Sequence, residues 1–129
     1  KRIDNPANSW QMPQGGVDKN ENFLQAAKRE LEEETSVRTV EVIKELKGWL
    51  TYDLPENLLG KLWKGKYRGQ KQKWFIMRFL GKNEEINVKT KHPEFLDWKW
   101  IEPFELPKVA VHFKINVYKK LKEELASFN

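Results

Sequence analysis

Residues 16–37, GVDKNENFLQAAKRELEEETSV, constrain the chain more tightly than any other stretch. Ala26, Ala27 and the Leu, Glu, Lys and Arg residues around them favour a helix. Asn20 or Asn22 can cap its start, and Ser36 stands where it should stop. At about 100° per residue, Phe23, Leu24, Ala27 and Leu31 fall in one arc, the face that should meet a core. Glu32 lies opposite and can be solvated. Glu34 falls inside the apolar arc, and Glu30 lies at its edge, three residues before Glu33 and four before Glu34. Those spacings gather three carboxylates on neighbouring turns.

Like charges held close repel one another, and partial burial adds a desolvation cost. A helix keeps such a cluster cheaply only with positive charge among its members. From the helix alone two sources are open: Arg29 together with solvent, or a bound cation. Oxygen-only donors without His or Cys suit hard cations, Mg²⁺ or Mn²⁺, rather than zinc.

The rest of the chain supplies the frame. NPANS and PQGG punctuate the opening as loop. VEVIKELKGWLTYDL, closed by Pro55, reads as one or two strands; an irregular stretch follows, and KWFIMRFL reads as a buried strand. EEINVKTKHPEF is mostly loop and DWKWI a short strand, while Phe113, Val117, Leu121, Leu125 and Phe128 form one stripe of a last helix. These elements predict an α+β domain with central strands and helices near both ends. Trp10, Trp49, Trp74, Trp98 and Trp100 are expected in its core.

With 129 residues, a single domain spanning 1–129 is expected. No apolar run approaches the roughly 20 residues a membrane helix needs, and no signal-peptide pattern opens the chain, so no membrane partner is expected. The absence of cysteine excludes disulfides and thiolate sites and agrees with a cytoplasmic setting. KRIDNPANSW begins in turn-rich sequence, which suggests that an opening strand is missing from the chain. The formal net charge is +5, and Lys61–Lys73 holds six basic residues and no acid, a composition suited either to an ordinary solvated loop or to a polyanionic ligand.

Gly15, Glu21, Arg29-Glu30-Leu31, Glu33-Glu34 and Val37 stand at fixed intervals. This pattern resembles the Nudix box, G-x5-E-x7-R-E-U-x-E-E-x-G-U, with Ser36 in place of one glycine. A side chain at that position, where positive φ is expected, should cost on the order of 1 kcal/mol. SWQMPQGG, WLTYDLP, GQKQKWF, EIN, PEF and FKINVY extend the resemblance over nearly the whole chain. They are similar to the Nudix branch of bacterial RNA pyrophosphohydrolases and diadenosine tetraphosphate hydrolases.

The resemblance implies an α/β/α sandwich with a mixed sheet between helices. It makes Glu30, Glu33, Glu34 and Glu94 metal ligands, with Mg²⁺ the expected cofactor and Mn²⁺ a substitute. Glu33, Glu34 and Glu94 become catalytic candidates, and Glu21 pairs with Arg29 to hold the box. Arg2, Ser9, Gln14, Gly15, Gly16, Tyr52, Gln70, Phe113 and Lys114 become substrate-binding candidates. The substrate implied is a nucleoside polyphosphate, either a 5′-triphosphorylated RNA end or a dinucleoside polyphosphate. A non-catalytic module that binds RNA or a nucleotide is the reading of another class.

Overall fold

The computed structural model describes residues 1–3, 10–56 and 69–128. Ser9 and the 61–68 part of the basic stretch lie outside the described residues. Helix α1, Phe23–Thr35, begins at Asn22, whose side chain accepts from the Gln25 amide while the Gln25 side chain answers the Asn22 N–H. It ends at Ser36, which adopts φ 67° as expected for the position of the missing glycine. The Ser36 hydroxyl donates to the Asn87 carbonyl at 2.8 Å, and the Asn87 N–H donates to Thr35 O at 2.9 Å, fastening the helix end to the 83–88 loop.

Residues 40–54 make two strands, β1 (Val40–Glu45) and β2 (Leu50–Asp53), separated by a turn in which Gly48 takes φ 70°. Strands β3 (Gly69–Gln72) and β4 (Phe75–Phe79) pair with them in two antiparallel ladders, β1 with β4 and β2 with β3. Opposite Tyr52 stands Gln70, and opposite Thr51 stands Lys71. Helices and strands are thus mixed as the α+β expectation requires. Both ladders are antiparallel, and no parallel pairing occurs among the described residues.

The core is built by Leu46, Tyr52, Leu54, Trp74, Leu106, Val117, Tyr118 and Leu121, between the β2–β3 ladder, helix α2 (Leu106–Val109) and helix α3 (Ile115–Ala126). Five expectations need correction. The strand expected at 97–101 is absent: extended pairing falls earlier, where Arg2 bridges Phe95 and the Ile3 N–H donates to Glu94 O. KWFIMRFL buries only Trp74, because β4 pairs on one side with β1 and leaves its residues partly solvated. On α1 the buried residues are Ala26 and Glu34, while Phe23 is exposed against Trp49. Trp49 and Trp100 are exposed as well, and Phe128 lies past the end of α3, so the last stripe stops at Leu125.

Candidate active site

Arg29 organises the acidic face of α1. Its guanidinium reaches both Glu21 oxygens at 2.7 and 3.0 Å, the two-pronged pairing of fork and carboxylate. The same group donates to Glu30 at 2.7 Å, to Glu33 at 3.0 Å and to the Gly16 carbonyl at 2.7 Å. Asp18 stands 3.3 Å away. The pairing of Glu21 with Arg29 therefore closes the loop ahead of the helix onto its second turn. That hydrogen-bonded arginine holds the Glu21 carboxyl below its ordinary range.

Gly15 is required by what lies behind it. A Cβ there would run into the Glu30 carboxyl group, whereas a Cβ at Gly16 would meet nothing within 4 Å. The loop thus lies flat against Glu30. Burial pushes the Glu30 carboxyl up, partly offset by Arg29.

Glu34 is the most perturbed of the cluster. It is 4% exposed. One of its oxygens accepts the Gln14 amide at 3.1 Å, and the other has no hydrogen-bond partner. Burial, reinforced by Glu94 and Glu30, pushes its carboxyl up to about 9. Glu94 reaches the cluster from a distant loop, held by the pairing of residues 94–97 with 1–3. A cavity of about 820 Å³ opens over these groups, lined by Glu30, Glu33, Glu34 and Glu94, with Glu32, Arg38, Thr90, Lys91 and His92 also among its walls. Thr90 contributes a second buried oxygen without a partner.

Among the described residues no three acidic or histidine side chains form a ready-made metal cage. Arg29 draws Glu30 and Glu33 toward itself, while Glu33 itself stays largely exposed. The donor set nevertheless fits a hard divalent cation. Its donors are all carboxylate oxygens, and the buried Glu34 oxygen lacks the positive partner that would make its burial cheap.

A second cluster adjoins the first through Gln14. The Gln14 side chain donates to Gln70 at 3.3 Å and accepts from Lys114 at 3.2 Å, while its amide holds Glu34. Lys114 also donates to Gln11 at 3.1 Å, and Arg2 donates to the same Gln11 oxygen at 3.0 Å. The Lys114 ammonium stands 5.4 Å from the Tyr52 ring centre, and Tyr52 and Phe113 have ring centres 5.4 Å apart. Arg2, Gln14, Tyr52, Gln70, Phe113 and Lys114 are thus gathered in one place. Beside Phe113 a smaller cavity of about 380 Å³ is lined by Asp53, Pro55, His112, Ile115 and Asn116. Sequence reasoning missed Gln11 and Gln72, which join this network through Lys114 and Gln70. Both sit inside the quoted SWQMPQGG and GQKQKWF motifs, the one signal that could have found them.

A helix presenting clustered carboxylates behind a glycine loop, locked by a Glu–Arg pair, is the site of the Nudix class. The NUDIX domain model matches residues 1–121, and the chain belongs to the Nudix family of hydrolases. A protein of Pelagibacter ubique named RNA pyrophosphohydrolase is 64% identical over 125 residues, covering 97% of this chain and 79% of that relative. Relatives of the same name from Bradyrhizobium sp. and Rhodospirillum rubrum are 53% and 48% identical, covering 92% and 99% of this chain and 73% and 77% of their own lengths. Nudix hydrolases generally need divalent metal ions. No helix among the described residues is long and apolar enough to cross a membrane.

Proposed function

We propose that this chain hydrolyses the 5′-triphosphate of RNA ends, using Mg²⁺ (with Mn²⁺ as substitute) and working in the cytoplasm. The observation that carries the reading is Glu34, a buried carboxyl with a partnerless oxygen, bonded through Gln14 to the cluster of Lys114, Gln70 and Tyr52. Gln14 thus ties the acidic cluster to a cationic, aromatic one, an arrangement suited to a polyphosphate joined to a nucleoside. The names of the relatives favour RNA as the bearer of that polyphosphate.

Glu30, Glu33, Glu34 and Glu94 would hold the divalent ions, which when bound neutralise phosphate charge and lower the pKa of water. The chain's own residues do the rest. Phe113 offers a face on which a base can stack, and Lys114 and Arg2 set positive charge beside the phosphates. The two exposed carboxylates, Glu33 and Glu94, can accept the proton of the attacking water. Gly15 and Gly16 are exposed, and Gly15 lies against Glu30, so their N–H groups are the backbone donors offered to an anion there. Ser36 takes the left-handed conformation and keeps the helix end fastened, which argues against a degraded, non-catalytic box.

The test is incubation with triphosphorylated RNA and with diadenosine tetraphosphate, each with Mg²⁺. Release of pyrophosphate or phosphate from RNA is expected, and Glu33→Gln should abolish it while leaving the fold intact. Turnover of the dinucleotide alone would overturn the choice of substrate. Tight binding without product under any divalent ion would overturn catalysis itself.

A further inference from the structure

We propose that Trp49, Phe23 and Lys71 form a stacking and charge platform for single-stranded RNA downstream of the 5′ end. Both rings are exposed, 41% for Trp49 and 43% for Phe23, although each would gain from burial. They meet edge to face with centroids 5.1 Å apart. Lys71 Nζ lies 4.8 Å and Lys73 Nζ 5.7 Å from the Trp49 ring centre. Lys73 is already paired with Glu45 at 3.1 Å. No carboxylate pairs with Lys71, nor with the exposed Lys47 two residues before Trp49, among the described residues. Exposed aromatic rings carrying an unneutralised ammonium group recognise a single-stranded polyanion with flat bases, the ammonium meeting a phosphate while a base takes its place on the ring.

The position of the platform fits the same substrate. Phe23 and Glu30 are seven residues apart on α1, which at about 100° and 1.5 Å per residue puts them on one stripe, roughly 10 Å from each other. Lys71 is the neighbour of Gln70, which belongs to the pocket side of β3, and it projects from the opposite face of the β2–β3 ladder together with Thr51. The platform thus lies near the acidic cavity along α1 and across the β2–β3 ladder from the nucleoside cluster, where a chain leaving that cluster and rounding the ladder edge can reach the indole. None of these three residues belongs to the carboxylate cluster or to the Gln14 network.

The inference rests on the RNA reading of the site, and two separate measurements keep the two apart. The first is steady-state kinetics on triphosphorylated RNAs of about 2 and about 12 nucleotides, with wild type, Trp49→Ala, Trp49→Phe and Lys71→Gln. Trp49→Ala should raise KM for the longer RNA roughly tenfold, with kcat and the shorter RNA unchanged, and Trp49→Phe should restore most of it. Lys71→Gln should reduce the salt dependence of binding by about one phosphate contact. The second is fluorescence anisotropy with a 5′-hydroxyl RNA of the longer length, which needs no catalysis. Binding lost in Trp49→Ala, in a protein that hydrolyses no RNA, would support the platform and overturn the substrate reading. Equal binding by all variants, or equal losses on short and long RNA, would overturn the platform.

Discussion

Gly15→Ala should separate activity from stability. The Cβ it adds would lie 2.5 Å from Glu30 Cγ and closer still to the carboxyl group. Ordinary carbon contacts lie at roughly 3.5–4.0 Å, so Glu30 must retreat by about 1 Å or more. The atoms that must give way belong to a side chain, and the Gly15 backbone has no positive φ, so the fold itself can absorb the change. Alanine also narrows the unfolded ensemble, a gain of about 0.4–1 kcal/mol that offsets a weakened contact between Glu30 and Arg29. The expected melting temperature is thus near wild type. If Glu30 holds an ion as proposed, its displacement by about 1 Å is a different matter and lowers turnover on the order of a hundredfold. The assays are thermal melting and phosphate release from triphosphorylated RNA across a titration of Mg²⁺. Gly16→Ala is the comparison, because its Cβ meets nothing within 4 Å. Full activity in Gly15→Ala, or an equal loss in both variants, would refute the close seating of Glu30 as the reason for glycine.

Three further outcomes follow from geometry already described. Ser36→Gly relieves about 1 kcal/mol of left-handed strain but loses the hydroxyl bond to Asn87, worth a similar amount, whereas Ser36→Ala loses the bond without relief. Urea unfolding should therefore rank Ser36→Gly near wild type and Ser36→Ala about 1 kcal/mol lower. In protein freed of divalent ions, the Glu34 carboxyl, raised from 4.5 to about 9, keeps a proton that the unfolded chain has released. Its contribution to stability is fully present below pH 4.5 and is lost as pH rises toward about 9, by at most about 1.4 kcal/mol per unit. Glu34→Gln should flatten that slope in denaturation experiments run at several pH values. Phe113→Leu keeps apolar volume and removes the stacking face, so KM should rise roughly tenfold with kcat nearly unchanged in steady-state kinetics.

What the sequence made legible is mostly short in range. The separations among Glu30, Glu33 and Glu34, the reach from Glu21 to Arg29 and the positive φ at Ser36 are set by helix geometry, and each is found as expected. The gathering of Arg2, Tyr52, Gln70 and Lys114 followed from family motifs, since nothing local joins Lys114 to a glutamine 100 residues away. Gln11 escaped notice for that reason: an amide side chain declares no role until a distant cation meets it. Burial was the least legible property. Trp49 and Trp100 are large and apolar, but an indole with a lysine over its ring, or with an Asn83 acceptor at its N–H, is also stable at a surface. The extended segment at 97–101 could not be judged alone, because a strand needs a neighbour and the pairing available lies at 94–97.

Gln14 touches both halves of the site, its main chain holding Glu34 and its side chain holding Gln70 and Lys114. Any ligand that tugs one end of this residue changes the welcome offered at the other. Linkage then demands reciprocity: whatever factor nucleotide adds to ion affinity, the ion must return to nucleotide affinity. A dissociation constant for a divalent ion taken without nucleotide would accordingly describe a different equilibrium from the one at work during turnover.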